Sequence, residues 1–153
     1  MRWRRIRVFF DTGGFKSTKT DMTVDDLYAK FLEVFGVART HCVNMYGMTE
    51  LSSQIYDQNL LSYYTDGSSN YLKATPSWVR SVFLDPATLT PVADGEQGVI
   101  AHYDLANWNS CLAILTEDLG VRTDSGYELN GRAKGAEARG CSIAVDEVMA
   151  ANA

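Results

Sequence analysis

Cys42-Val43-Asn44-Met45-Tyr46-Gly47 is a short apolar run halted by a glycine, and what stands before it decides the fold. Upstream, Thr23 precedes Asp25 and Asp26, and Leu27, Phe31 and Val34 recur at i, i+4 and i+7 before Gly36. A hydroxyl cap, carboxylates in the first turn and an apolar face closed by glycine predict an amphipathic helix over residues 24–35. Further upstream, Ile6-Arg7-Val8-Phe9-Phe10 is short, aromatic and β-branched and runs into Asp11-Thr12-Gly13-Gly14. That pattern predicts a buried strand ending in a tight turn. Strand, helix, strand in this order predicts a parallel βαβ unit. Ligands in such sheets sit at the carboxyl ends of the strands, so Gly13-Gly14 and the residues after Tyr46 are expected at one edge.

Downstream of that unit the pattern changes. Residues 57–77 hold Tyr63, Tyr64, Asp66-Gly67-Ser68-Ser69-Asn70 and Pro76, which predicts a long, turn-rich surface loop. From Trp78 onward, short strands are expected over 78–84, 98–103 and 112–115, with Asp85-Pro86 and Asp94-Gly95 turning between them. The expected fold class is therefore α/β: a βαβ portion over 1–77, a small antiparallel sheet or distorted β-barrel over 78–130, and a tail over 131–153. In that tail Ile143, Val145, Val148 and Met149 are mixed with Asp146 and Glu147 as in a short amphipathic helix.

Composition narrows the function. At 153 residues, 46% hydrophobic and 22% charged, the chain is expected to fold as a soluble globular domain. A net charge of −5 argues against nucleic acid as a partner, since phosphate backbones require a concentrated basic face. The apolar run after Met1-Arg2-Trp3-Arg4-Arg5 is too short for a signal-peptide core or a membrane span, so a cytoplasmic location is expected. Cys42, Cys111 and Cys141 are odd in number and far apart, which gives neither a disulfide framework nor a zinc motif. His41 and His102 lack metal-ligand spacing. Cys42 and Cys111 are expected to be buried thiols, and the two histidines ordinary surface or core imidazoles.

The string Asn44-Met45-Tyr46-Gly47-Met48-Thr49-Glu50 carries the chemistry. It resembles the core motif of the adenylate-forming superfamily, which includes acyl-CoA ligases, adenylation domains and firefly luciferase. The resemblance implies that Tyr46 stacks on adenine, Gly47 lets backbone approach the nucleotide, Thr49 bonds the α-phosphate and Glu50 holds Mg²⁺. A plain strand–turn–helix junction would account for Tyr46 to Glu50 equally. Further matches follow in family order: Gly95-Glu96-Gln97-Gly98 resembles a hairpin, and Thr116-Glu117-Asp118-Leu119-Gly120 follows an apolar strand. By the same resemblance Asp118 accepts both ribose hydroxyls of ATP or AMP. Gly131-Arg132 resembles the start of a hinge, where Arg132 contacts ribose or phosphate and Lys134 is the pivot in place of the commoner aspartate. Gly13 and Gly14 would line the adenine slot, where a wider side chain would collide with the base.

Thr12-Gly13-Gly14-Phe15-Lys16 near the start, together with residues 131–142, is similar to the LuxE-type acyl-protein synthetases of bacterial luminescence. Phenylacetate-CoA ligase is the nearest alternative. In the synthetases a cysteine close to the carboxy terminus takes the acyl group, which points to Cys141 rather than Cys42 or Cys111; Arg132, Lys134 and Arg139 nearby would favour its thiolate. A buried structural cysteine is the competing account.

The resemblance also implies missing parts. No Ser/Thr/Gly-rich phosphate loop ending in lysine precedes Tyr46, and the chain ends soon after the hinge motif. The expectation is a carboxy-terminal portion of an ATP-dependent acyl-activating enzyme using a fatty or other carboxylic acid. Its expected partners are an amino-terminal half, an acyl-reductase chain or a second copy. A catalytically silent nucleotide-binding module is the alternative from a different class.

Overall fold

The computed structural model describes residues 6–12 and 23–133. Its first strand, β1, spans Phe9–Thr12, helix α1 Val24–Phe35 and strand β2 Cys42–Tyr46, with a 3-10 turn at Arg39–His41 leading into β2. The helix begins and ends where its chemistry requires. Thr23 Oγ1 accepts the Asp26 amide at 3.1 Å while Asp26 Oδ2 accepts the Thr23 amide at 2.9 Å, a reciprocal capping box. Gly36 closes the other end at φ 63°, the left-handed conformation that glycine adopts without strain.

β1 and β2 run parallel, pairing Phe9 with Cys42 through Thr12 with Met45. The aromatic face of α1 covers them: the Phe31 ring lies 4.1 Å from that of Phe9, and Tyr28, Val37 and Cys42 form a small buried cluster. The first strand is thus displaced from 6–10 to 9–12, with Ile6 and Val8 exposed. Only residues in register with β2 gain ladder hydrogen bonds, so pairing and not local hydrophobicity sets its bounds.

The region 57–77 is not a surface loop. It contains the end of β3 (Ile55–Asp57), helix α2 (Asn59–Thr65) and strand β4 (Lys73–Ala74). Tertiary anchors replace the missing local signals: Asn59, fully buried, donates to the Arg39 carbonyl at 2.6 Å and the Cys42 carbonyl at 3.1 Å. Lys73, 5% exposed, donates through Nζ to the Asn44 carbonyl at 2.8 Å, and the Asn44 amide donates to Asp57 Oδ2 at 3.1 Å. Burial pushes the Lys73 ammonium below its ordinary value and the Asp57 carboxyl above its own. These contacts fix β2, the strand that delivers Tyr46.

Four longer strands follow: β5 (Val79–Leu84), β6 (Gln97–Asp104), β7 (Ala113–Thr123) and β8 (Gly126–Arg132). The segment expected at 112–115 therefore extends to Thr123 and turns back as a hairpin into β8. All eight strands form one mixed sheet in the order β1-β2-β3-β4-β8-β7-β6-β5, bridged where Lys73 of β4 pairs with Tyr127 of β8. The core crosses that bridge, since Tyr46 and Ile55 pack with Val79, Phe83, Ile100 and Tyr127. Tyr46 is consequently held by strands far from it in sequence.

Candidate functional site

Three of the singled-out residues meet at one place. The Tyr46 hydroxyl, at the carboxyl end of β2, donates to Asp118 Oδ2 at 2.7 Å, and Arg132 Nε lies 3.7 Å from Asp118 Oδ1. Asp118 sits where β7 departs from regular pairing with both neighbours. Thr116 bridges this irregularity, its hydroxyl donating to the Ile100 carbonyl at 2.7 Å and accepting the Asp118 amide at 3.1 Å. On the other side, pairing jumps from Asp118↔Arg132 to Gly120↔Leu129, leaving an extra residue on β8. Gly131, with φ 85°, takes the left-handed conformation there. Such bulges re-aim a side chain, and here the glycine sets Arg132 opposite Asp118. The Arg132 guanidinium also pairs with Glu117.

Behind Tyr46 lies a polar line that sequence patterning did not single out. His102 of β6 is fully buried, with Nε2 3.4 Å from the Tyr46 hydroxyl and Nδ1 2.8 Å from the Ser81 hydroxyl of β5. Burial lowers the His102 imidazole to about 4, against a smaller opposing effect of Asp104. Burial first, and then the Asp118 charge, raises the Tyr46 phenol well above its ordinary value. The phenol is therefore a hydrogen-bond donor and not a phenolate. Its ring, assigned by resemblance to adenine stacking, is 8% exposed and packed in the core cluster.

Gly47, Thr49 and Glu50 are exposed on the turn after β2. The far end of that turn is clamped. Asp104, fully buried, accepts the Ser53 amide at 2.9 Å, the Ser53 hydroxyl at 2.8 Å and the Ala106 amide at 2.9 Å. Trp78 Nε1 donates to the Ser53 hydroxyl at 2.9 Å, and Asn107 Nδ2 donates to the Glu50 carbonyl at 2.6 Å. Asp104, Ser53 and Asn107 were legible only as polar residues near apolar runs, since nothing in their spacing marks them as partners.

The Glu50 carboxylate makes no hydrogen bond or ion pair with a described residue, and no group of three or more metal-ligating side chains occurs among the described residues. A single free carboxylate fits Mg²⁺, which takes one or two carboxylates together with phosphate oxygens and water. Gly13, Gly14, Lys134 and Cys141 lie outside the described residues, as does the tail expected to be helical. Cys42 is buried as expected, its thiol pushed up to about 11 by burial. Cys111 is not: it is exposed, because it falls outside the paired strands, in the connection between the 3-10 turn Leu105–Asn107 and β7. No helix among the described residues is long and apolar enough to cross a membrane.

Comparison with known proteins converges on the same identity as the motifs. The sequence profile of the family described as "Acyl-protein synthetase, LuxE" matches residues 5–150. A long-chain-fatty-acid–luciferin-component ligase of Aliivibrio fischeri is 26% identical over 155 aligned positions, which take in 92% of this chain and 37% of that protein. The chain thus spans little more than a third of that relative's length. Among solved structures, MatB from Rhodopseudomonas palustris matches with a TM-score of 0.55 in its apo form, at 20% identity over 84% of this chain and 26% of that one. Its ATP-bound form matches with a TM-score of 0.54, at 18% identity over 82% of this chain and 25% of that one. A benzoate CoA ligase from Burkholderia xenovorans LB400 gives 0.52, at 18% identity over 83% and 26% of the two chains. At such identities these structures establish the fold.

Proposed function

The chain belongs to the LuxE family of acyl-protein synthetases, and from that membership we propose that it contributes the ribose-gripping and acyl-accepting part of an ATP-dependent acid-activating site. In the proposed reaction a carboxylate oxygen of a fatty acid attacks the α-phosphorus of ATP and pyrophosphate leaves. A thiolate then attacks the acyl carbonyl, a thioester forms and AMP departs with the bonding electron pair. The observation that carries this is the meeting of Tyr46, Asp118 and Arg132 from three strands, with the Asp118 carboxylate fixed by a 2.7 Å hydrogen bond.

Each residue has a place in that scheme. Asp118 accepts the ribose hydroxyls, and Arg132, exposed at the end of β8 and already beside Asp118, meets ribose or phosphate oxygens. Thr49 donates to the α-phosphate from an exposed turn, and Gly47 leaves room for the nucleotide to approach. Gly13 and Gly14 are proposed to line the adenine side, and Tyr46, its ring packed in the core, to serve the nucleotide through its hydroxyl on Asp118. Glu50 would hold Mg²⁺, which neutralises phosphate charge when bound. Lys134 is the hinge pivot and Cys141 the acyl acceptor. A cytoplasmic location belongs to the same proposal, and the thioester calls for a partner that consumes acyl groups, such as an acyl reductase. An amino-terminal half or a second copy of the chain is the further partner proposed for completing the site.

Calorimetric titration with AMP tests the pocket. Asp118→Ala is expected to weaken binding by roughly 1.5–3 kcal/mol for each charge-assisted hydrogen bond lost. Undiminished affinity in the variant would remove Asp118 from the ribose role. No binding by either protein would make the motif an inherited scaffold in a silent module.

A further inference from the structure

The hydrogen bonds behind Tyr46 have one direction in which every contact of the line is satisfied. A carboxylate accepts and does not donate, so the single Tyr46 proton is committed to Asp118 Oδ2, at 2.7 Å. The Tyr46 oxygen can then only accept from His102 Nε2, 3.4 Å away, which requires the imidazole to carry its proton on Nε2. A neutral imidazole has one bare nitrogen, and Nδ1 must therefore accept from the Ser81 hydroxyl at 2.8 Å. Every proton in this line points toward Asp118.

We propose that Ser81 and His102 are positioning residues which, by orienting the Tyr46 hydroxyl, hold the Asp118 carboxylate with Oδ2 occupied and Oδ1, flanked by Arg132 Nε at 3.7 Å, presented for a ligand's vicinal diol. This rests on the nucleotide reading given above. Its physical basis is geometry and burial: His102 is inaccessible to solvent, its ring centre 5.6 Å from that of Tyr46, and it touches the ligand site only through the phenol. Burial restricts the rotation of His102 and Tyr46, because each alternative rotamer of these two strands a donor or an acceptor away from water. Without it, Tyr46 and Asp118 would have to be ordered at the moment of binding, at a cost in affinity.

Imidazole 15N spectra of the unliganded protein read the line without any nucleotide. The chain has two histidines, so His41→Gln assigns the His102 signals. The expected result is a protonated Nε2 and a bare Nδ1 on His102, with the Nε2 resonance moved by Tyr46→Phe. AMP calorimetry reads the positioning: Tyr46→Phe and His102→Leu should each lower affinity by roughly tenfold, about one hydrogen bond's worth. The double variant should be no weaker than either single one, and His102→Gln, which keeps an N–H donor, should recover most of the loss. A proton on Nδ1, or losses that multiply in the double variant, would overturn the proposal. An AMP titration silent in the wild-type protein would instead overturn the nucleotide reading, while the 15N result still decides the line.

Discussion

Tyr46 and Asp118 are 72 residues apart and share a hydrogen bond of 2.7 Å, which links β2, at the parallel start of the sheet, to β7 in its antiparallel end. The contact ties the candidate site to the stability of the fold. Tyr46→Phe removes the phenol from Asp118 and leaves the buried His102 without a partner for Nε2. The expected cost is about 1–3 kcal/mol, read as a lowered urea midpoint at unchanged m-value. An unchanged midpoint would mean that the bond contributes nothing to the folded state.

Asp104 should matter more to stability than any residue of the motif it supports. Its carboxylate takes three donors, the Ser53 amide, the Ser53 hydroxyl and the Ala106 amide. Asp104→Ala strands the two buried Ser53 donors and frees the part-buried Ala106 amide, and is expected to destabilise by about 3 kcal/mol. Hydrogen exchange at the Ser53 amide should accelerate by more than exchange in α1 does. Equal acceleration at both places would show that Asp104 does not specifically hold the turn carrying Thr49 and Glu50.

Acid should destabilise the protein partly through His102. Its imidazole titrates near 6.5 when unfolded and near 4 when folded, owing to burial. Between those values the unfolded chain binds the extra proton, so stability is complete above pH 6.5 and falls as pH drops toward 4. The slope from this group reaches about 1.4 kcal/mol per pH unit at most. Urea midpoints from pH 7 to pH 4 for wild type and His102→Gln isolate it: the variant's curve should be flatter in that range. Parallel curves would show that His102 takes up its proton at the same pH in the folded and unfolded states.

The cysteines should separate by exposure. In the folded protein a maleimide is expected to label Cys111, which is exposed, and to spare Cys42, which is buried with its thiol raised to about 11. Exposure alone does not make an acyl acceptor. With a complementing partner, ATP and labelled fatty acid, a hydroxylamine-sensitive thioester should survive Cys111→Ser and disappear in Cys141→Ser. Label retained in Cys141→Ser would move the acceptor role to another thiol, in the manner of a CoA ligase.

Local chemistry made much of the chain legible from its residues alone. Helix 24–35 and strand 42–46 match the structure at both ends, because Thr23, Asp26, Gly36 and Gly47 act on their immediate neighbours. The order of the motifs was enough to give the family, since their spacing is a property of the chain and not of its packing. What only the tertiary structure decided depends on partners distant in sequence. Helix 59–65 exists because Asn59 is held by carbonyls of Arg39 and Cys42, and β8 because β7 and β4 flank it. The roles of His102 and Asp104 were equally hidden: a buried imidazole or carboxylate takes its meaning from the groups that satisfy it. No pattern along the chain records that Ser81, Tyr46 and Asp118 will arrive in line, because hydrogen bonds between strands are set by register across the sheet.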